Sequence, residues 1–239
     1  MNTLKQIQEN GFAIVENALA SCQIKSIFTG IEGLFDEPLA SLKPPHLSSI
    51  DEKYLYLKEH APKMKSRCYD LIGNLLEIHQ ASTSDRLLFE LKSILGETLI
   101  LDHMQVRIDD ASNDRLLPMH QEIFGQFSPD CITAWIPLKD VRREFGALRV
   151  VKGSHKNGEV NHRFIAGYHG IDIDVKDEEV TYVEVNAGDA VVFDPLLFHG
   201  SSANTQDVIR WTLTLRYNST RIPYIQNPES PMRIPQVNG

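Results

Sequence analysis

Apolar residues in this chain change their spacing once, near Thr98, and that change narrows the possible folds sharply. Upstream they recur every three or four positions, as in Ile24, Ile27, Phe28, Ile31, Leu34 and Phe35, or Leu87, Leu88, Leu91, Ile94 and Leu95. That spacing lays an apolar stripe along a helix. Downstream, short β-branched or aromatic runs are separated by Gly, Pro, Asn and Asp clusters almost to the end, the pattern of half-buried strands joined by turns. Helices first and antiparallel-type strands afterwards predict a mainly β fold with helices, a jelly-roll barrel with the N-terminal helices packed on its outside. With 239 residues and 42% hydrophobic content, one domain with one sizeable core is expected. Residues 1–97 would be its mainly helical support, 98–217 its jelly-roll core and 218–239 a tail.

Punctuation sets the expected boundaries. Gly11 stops a short helix over Leu4 to Asn10, and a strand follows from Phe12 to Val15. Ser21 can cap the next helix and Pro38 end it. From Pro38 to Ala61, with Pro44-Pro45, Tyr54 and Tyr56, no clean period shows, so an irregular connection is expected, either a lid or a surface loop. Pro62 fits the first turn of a helix carrying Met64, Cys68, Leu71, Ile72, Leu75 and Leu76, and Ser84 and Gly96 bound another. The polar stretches Asp109 to Pro118 and His155 to Glu179 read as loops. The acidic run Asp172, Asp174, Asp177, Glu178 and Glu179 reads as a solvated face, and Arg221 to Gly239 as a tail over the surface.

The formal charge of −8 and the pI near 5.6 argue against nucleic acid or an anionic membrane as partner, since no basic block is present to neutralise phosphates. A small-molecule substrate is expected instead. Cys22, Cys68 and Cys131 are odd in number and widely spread, which reads as reduced thiols used in packing. No signal-like core or membrane-length apolar run occurs, so a cytoplasmic protein is expected, of open oligomeric state.

Two separated segments bear chemistry. On an extended segment His120 and Glu122, at i and i+2, point the same way. With His199 they would form a two-histidine, one-carboxylate triad, which occupies one face of an octahedral iron(II) and leaves the other open. A His-x-Glu pair is a weak signal among nine histidines, and a solvent-facing Glu122 is its plain alternative. His103, His155, His162 and His169 read as surface or capping residues. After His199, the run Arg210 to Tyr217 alternates: Arg210, Thr212, Thr214 and Arg216 share one face, Trp211, Leu213, Leu215 and Tyr217 the other. A strand with a polar inner face lines a pocket.

The order His120-x-Glu122, His199, then Arg210 and Thr212 resembles the iron(II)- and 2-oxoglutarate-dependent oxygenases of the phytanoyl-CoA dioxygenase superfamily. So do Ala134 to Val141, Gly146 to Lys156, and the opening Asn10 to Val15. The resemblance implies a cupin-like double-stranded β-helix, with iron(II) on His120, Glu122 and His199 and with 2-oxoglutarate and dioxygen as cosubstrates. It also implies oxidation of a C–H bond, with release of succinate and CO2. Arg210 would clamp the remote carboxylate of 2-oxoglutarate, since a planar guanidinium matches a carboxylate in a two-bond fork. Thr212 would add a hydroxyl, and Trp135 would line the cosubstrate pocket unless it simply packs the core. Gln105 and Arg107 share a strand face that looks either into the barrel, toward cosubstrate or substrate, or into solvent. Arg216 is a further candidate for a substrate carboxylate. Ser201 and Asn204 fit either support of the site or turn chemistry. Glu122 departs from the usual aspartate, and its presence argues against a halogenase. Two alternatives stay open: a non-catalytic metal-binding cupin-like protein, and a zinc or manganese isomerase or lyase on the same barrel.

Overall fold

A computed structural model of the chain describes residues 2–111, 117–123, 130–165 and 167–222. Two compact units are present, Met1–Ala18 with Asp85–Gly239, and Leu19–Ser84. The chain opens with α1 (Thr3–Asn10) and β1 (Phe12–Val15), and Gly11 between them takes the left-handed conformation at φ 85° expected of a helix stop.

The Leu19–Ser84 unit holds four helices: α2 (Ser21–Leu42), α3 (Ile50–His60), α4 (Pro62–Ile72) and α5 (Leu76–Ser82). Ser21 is the first residue of α2 rather than its cap. Ala20 occupies the cap position, and its N–H donates to the Gln23 side chain at 2.9 Å. Pro38 does not end α2, which runs on to Leu42. A proline inside a helix strips the carbonyl four residues back of its N–H partner. Here that carbonyl, on Leu34, accepts from the Cys68 thiol of α4 at 3.4 Å. Nor is Pro38 to Ala61 wholly irregular, because α3 fills its second half. Ile50, Tyr54 and Leu57 make a buried stripe, Ser49 caps the Glu52 N–H at 3.2 Å, and Asp51 and Glu52 sit favourably at the positive end. The apolar run expected as one helix from Pro62 is broken at Gly73-Asn74, leaving Met64, Leu71 and Leu76 exposed. Cys22 is exposed as well, so only Cys68 and Cys131 are packing thiols.

In the other unit α6 (Asp85–Leu95) leads to β2 (Leu99–Asp109), β3 (Cys131–Pro137), β4 (Leu148–Val151), β5 (His162–Ile165), β6 (Tyr168–Ile171), β7 (Val180–Val183), β8 (Ala190–Phe193), β9 (His199–Ser201) and β10 (Arg210–Ser219). Five strands form one sheet in the order β1-β8-β3-β10-β2 and three form a second, β7-β4-β9, with every pairing antiparallel. The stretch read as polar loop from His155 contains the hairpin β5-β6. The expected loop from Asp109 falls partly on residues 112–116, and the expected tail mostly on 223–239, outside the described residues.

This is the mainly β, jelly-roll class that the period change predicts. Trp135, Phe145, Leu148, Val183, Val191 and Phe193 form a core drawn from both sheets. On the opposite face of the larger sheet, α6 packs over β10 and β3. Trp211, Leu213, Leu215 and Tyr217 are buried there, at about 1.5–3 kcal/mol for each large apolar side chain. Pairing of β10 with β2 slips by one residue between Arg216, opposite His103, and Tyr217, opposite Leu101, so Asp102 is a bulge. No described helix is long and apolar enough to cross a membrane.

Candidate metal centre

His120 stands on a short extended segment bridged to β9: its N–H donates to the His199 carbonyl at 2.8 Å, and the His199 N–H returns a bond at 3.1 Å. The Glu122 N–H donates to Pro195 at 2.8 Å. Gln121, between the two, turns to the opposite side. Its amide donates to the carbonyls of Gly158 and Leu196, each at 2.8 Å, and accepts from the Val160 N–H at 3.0 Å. Alternation along the segment therefore sends His120 and Glu122 one way and an anchoring Gln121 the other.

One donor atom from each of His120, Glu122 and His199 lies within 4.8 Å of the others. Glu122 Oε1 is 3.9 Å from His120 Nε2 and 3.6 Å from His199 Nε2. Both imidazoles meet a backbone carbonyl through Nδ1, Pro118 for His120 and Leu197 for His199, each at 2.9 Å. A carbonyl only accepts, so Nδ1 carries a proton and Nε2 is the nitrogen turned toward Glu122 and left to ligate a metal. Burial first, and the neighbouring His120 second, lower the pKa of His199. For Glu122 burial pushes upward, but the two imidazoles and Arg216 outweigh it and hold the carboxyl well below its usual range. Two neutral imidazoles and a carboxylate converging on one point are the donor set that suits a divalent transition metal.

The triad borders a cavity of about 480 Å³, counting its open mouth. His103, Gln105 and Arg107 of β2 and Thr214 and Arg216 of β10 supply one wall, while Trp135, Leu148, Phe193 and Leu117 supply apolar surface. Gln105 and Arg107 thus face inward. Trp135 both lines the cavity and belongs to the core. Arg216 donates to Glu122 Oε2. Arg210 lies outside this lining, in an adjoining space that shares Arg107, Leu117 and Ser201 with it. Its guanidinium donates to Asp109 Oδ2 at 2.7 Å and to the Gly146 carbonyl, and its Nε is buried without a partner among the described residues. The hydroxyls of Thr212 and Thr214 are likewise buried and unpartnered.

Residues 7–212 match the family described as phytanoyl-CoA dioxygenase. The chain belongs to that family. The peroxisomal phytanoyl-CoA dioxygenase of Rattus norvegicus is 24% identical over 236 residues, covering 92% of this chain and 69% of that protein. Among solved structures, the non-heme monooxygenase ThoJ superposes with a TM-score of 0.67 at 18% identity, covering 92% of this chain and 78% of that one. The epimerase SnoN, solved with Fe3+, α-ketoglutarate and nogalamycin RO, gives 0.63 at 16% identity, covering 99% and 93%. The shared fold is the cupin-like jelly roll of these oxygenases.

Membership in the phytanoyl-CoA dioxygenase family brings iron(II) as the metal and 2-oxoglutarate and dioxygen as cosubstrates. The residues present fit that set. The triad matches the metal, Thr214 brings a buried unpartnered hydroxyl to the same cavity, and Arg210, in the adjoining space, keeps its Nε without a partner among the described residues.

Three participants escaped the sequence reading. Asp109 was read only as the edge of a loop, although β2 pairs it directly opposite Arg210. His103, read as a surface or capping residue, lines the cavity because two-residue alternation puts it in line with Gln105 and Arg107. Gly146, at φ 82°, leaves the space that Arg210 fills, since a Cβ there would stand 2.2 Å from Arg210 Nη1. Alternation could have found His103, but the other two needed the strand register. His162 lies nearer the site than expected, with Nε2 accepting from the Gln121 N–H at 3.2 Å. Asn204 serves its turn, donating to the carbonyls of Asp109 and Val208 and accepting from the Gln206 N–H.

Proposed function

We propose that this phytanoyl-CoA dioxygenase family member is an iron(II)- and 2-oxoglutarate-dependent dioxygenase that hydroxylates a C–H bond of a small polar metabolite or biosynthetic intermediate. The observation that carries this reading is the convergence of His120, Glu122 and His199 at a cavity whose β2 and β10 wall is polar. In this reading the three side chains hold iron(II), Arg210 receives the remote carboxylate of 2-oxoglutarate, and Thr212 adds a hydroxyl donor. Bound iron and cosubstrate supply an oxidant for hydrogen abstraction, with 2-oxoglutarate leaving as succinate and CO2.

The protein's own work is placement. Two carbonyls orient the imidazoles through Nδ1, Gln121 fixes the segment between His120 and Glu122, and Asp109 anchors Arg210. Gln105 and Arg107 present polar groups to the substrate, and Trp135 closes the wall beside them. A negatively charged chain without a basic block suits a small metabolite better than a CoA ester. The test is anaerobic titration of iron(II)-loaded protein with 2-oxoglutarate, followed in the visible charge-transfer band of a chelated 2-oxo acid, and then substrate screening by succinate release. A saturable band is expected. Stoichiometric iron with no band would defeat the oxygenase reading and favour a metal-binding cupin or a zinc enzyme.

A further inference from the structure

Glu122 has one methylene more than an aspartate, and its two oxygens do different things. Oε1 faces the Nε2 atoms of His120 and His199, at 3.9 and 3.6 Å, while Oε2 accepts from Nη2 of Arg216. The two side chains are 15% and 17% exposed, so the pair is largely shielded from water. Arg216 is delivered from the interior of a sheet: β10 lies between β2 and β3, with Arg216 opposite His103 on one side and Thr133 on the other. Its reach is therefore set by a strand paired on both edges.

We propose that Arg216 is a positioning residue that keeps Glu122 a one-oxygen metal ligand; the proposal rests on the triad being the iron(II) site. A carboxylate with both oxygens free can close on a cation through both. Glu122 would then join two imidazoles to fill about four of roughly six octahedral positions, leaving too few for a two-point 2-oxo acid and dioxygen together. Arg216 removes that option by engaging Oε2 in a charge-assisted hydrogen bond while Oε1 stays with the imidazoles. The longer side chain makes the division of labour possible. It also means that Arg216 is committed to the metal ligand rather than to a substrate carboxylate.

The test titrates iron(II)-loaded wild type, Arg216→Met and Arg216→Lys anaerobically with 2-oxoglutarate. Iron(II) affinity is measured in parallel by chelator competition, and coordination number by near-infrared magnetic circular dichroism. In Arg216→Met, iron affinity is expected to stay within about threefold of wild type while half-saturation by 2-oxoglutarate rises about tenfold or more, the usual scale for groups that orient ligands. Arg216→Lys, which keeps charge and a donor, should recover most of that loss. Divergence of the two affinities is a signature that a merely structural role does not produce. If Arg216→Met does not fold, Arg216→Gln, with a donor but no charge, takes its place. Unchanged half-saturation in the uncharged variant overturns the inference, as does a parallel loss of iron and 2-oxoglutarate binding in every variant. Absence of the band in wild type itself overturns the site reading, and this inference with it.

Discussion

Arg210 and Arg216 lie six positions apart on one face of β10, and each is paired with a carboxylate, yet the two pairs are built differently. Arg210 meets Asp109, its direct partner in the neighbouring strand, with the two side chains 4% and 8% exposed. Arg216 reaches out of its sheet to Glu122, on a separate segment. The first pair belongs to the scaffold and forms whenever β2 and β10 register correctly. The second joins the scaffold to the triad and has meaning only if the triad is assembled. One polar stripe thus fixes an arginine at one end and a proposed metal ligand at the other.

The comparison breaks most visibly at Glu122. Replacing it with Ala removes a ligand and strands Arg216, so iron(II) affinity is expected to fall by more than about 100-fold while the protein stays folded; chelator competition and circular dichroism check both halves. Next comes the buried pair, where Arg210→Ala takes from Asp109 its 2.7 Å partner and leaves it the more distant Arg107 at 3.6 Å. That should cost about 3–5 kcal/mol in denaturant unfolding, with the double variant Arg210→Ala/Asp109→Ala losing less than the sum of the singles.

A smaller effect is expected for Gly146→Ala, which strains a positive φ and crowds Arg210. About 1–3 kcal/mol of stability should go, together with a higher KM for 2-oxoglutarate, and iron affinity should not change. The smallest concerns His103, whose pKa is lowered by burial and then by Arg216. A depressed histidine binds protons more readily in the unfolded chain. Its contribution is therefore complete above the unfolded value of about 6.5 and is lost as pH falls through that region toward the folded pKa. In His103→Gln the acid side of a stability-pH curve should be flatter, and a curve of unchanged slope would remove His103 from that balance.

Period and punctuation carried much of this into view. The switch to period two near Thr98 is the start of β2, Gly11 is the helix stop it resembles, and alternation in Arg210 to Tyr217 divides an inner polar from an outer apolar face. The helical half was less legible because its signals conflict locally. Pro38 is a breaker whose defect is repaired by Cys68 from another helix, and no rule based on neighbours in sequence anticipates that. Helix α3 was hidden behind Pro44-Pro45 and two tyrosines. In the site, His120, Glu122 and His199 could be paired from spacing and family resemblance, whereas Asp109 and the Arg216–Glu122 bond depend on strand register and on a side chain's reach.

The three thiols have a use beyond packing. Cys22 is exposed, Cys68 is buried in the Leu19–Ser84 unit, and Cys131 is buried in the other unit, with burial pushing both inner thiols up and away from the reactive thiolate. An alkylating reagent should therefore label the chain in a fixed order, and the two slow steps become separate clocks for transient opening of each unit. Iron binding should slow the Cys131 clock, and the Cys68 clock would then report, without any introduced probe, whether the helical unit feels the metal at all.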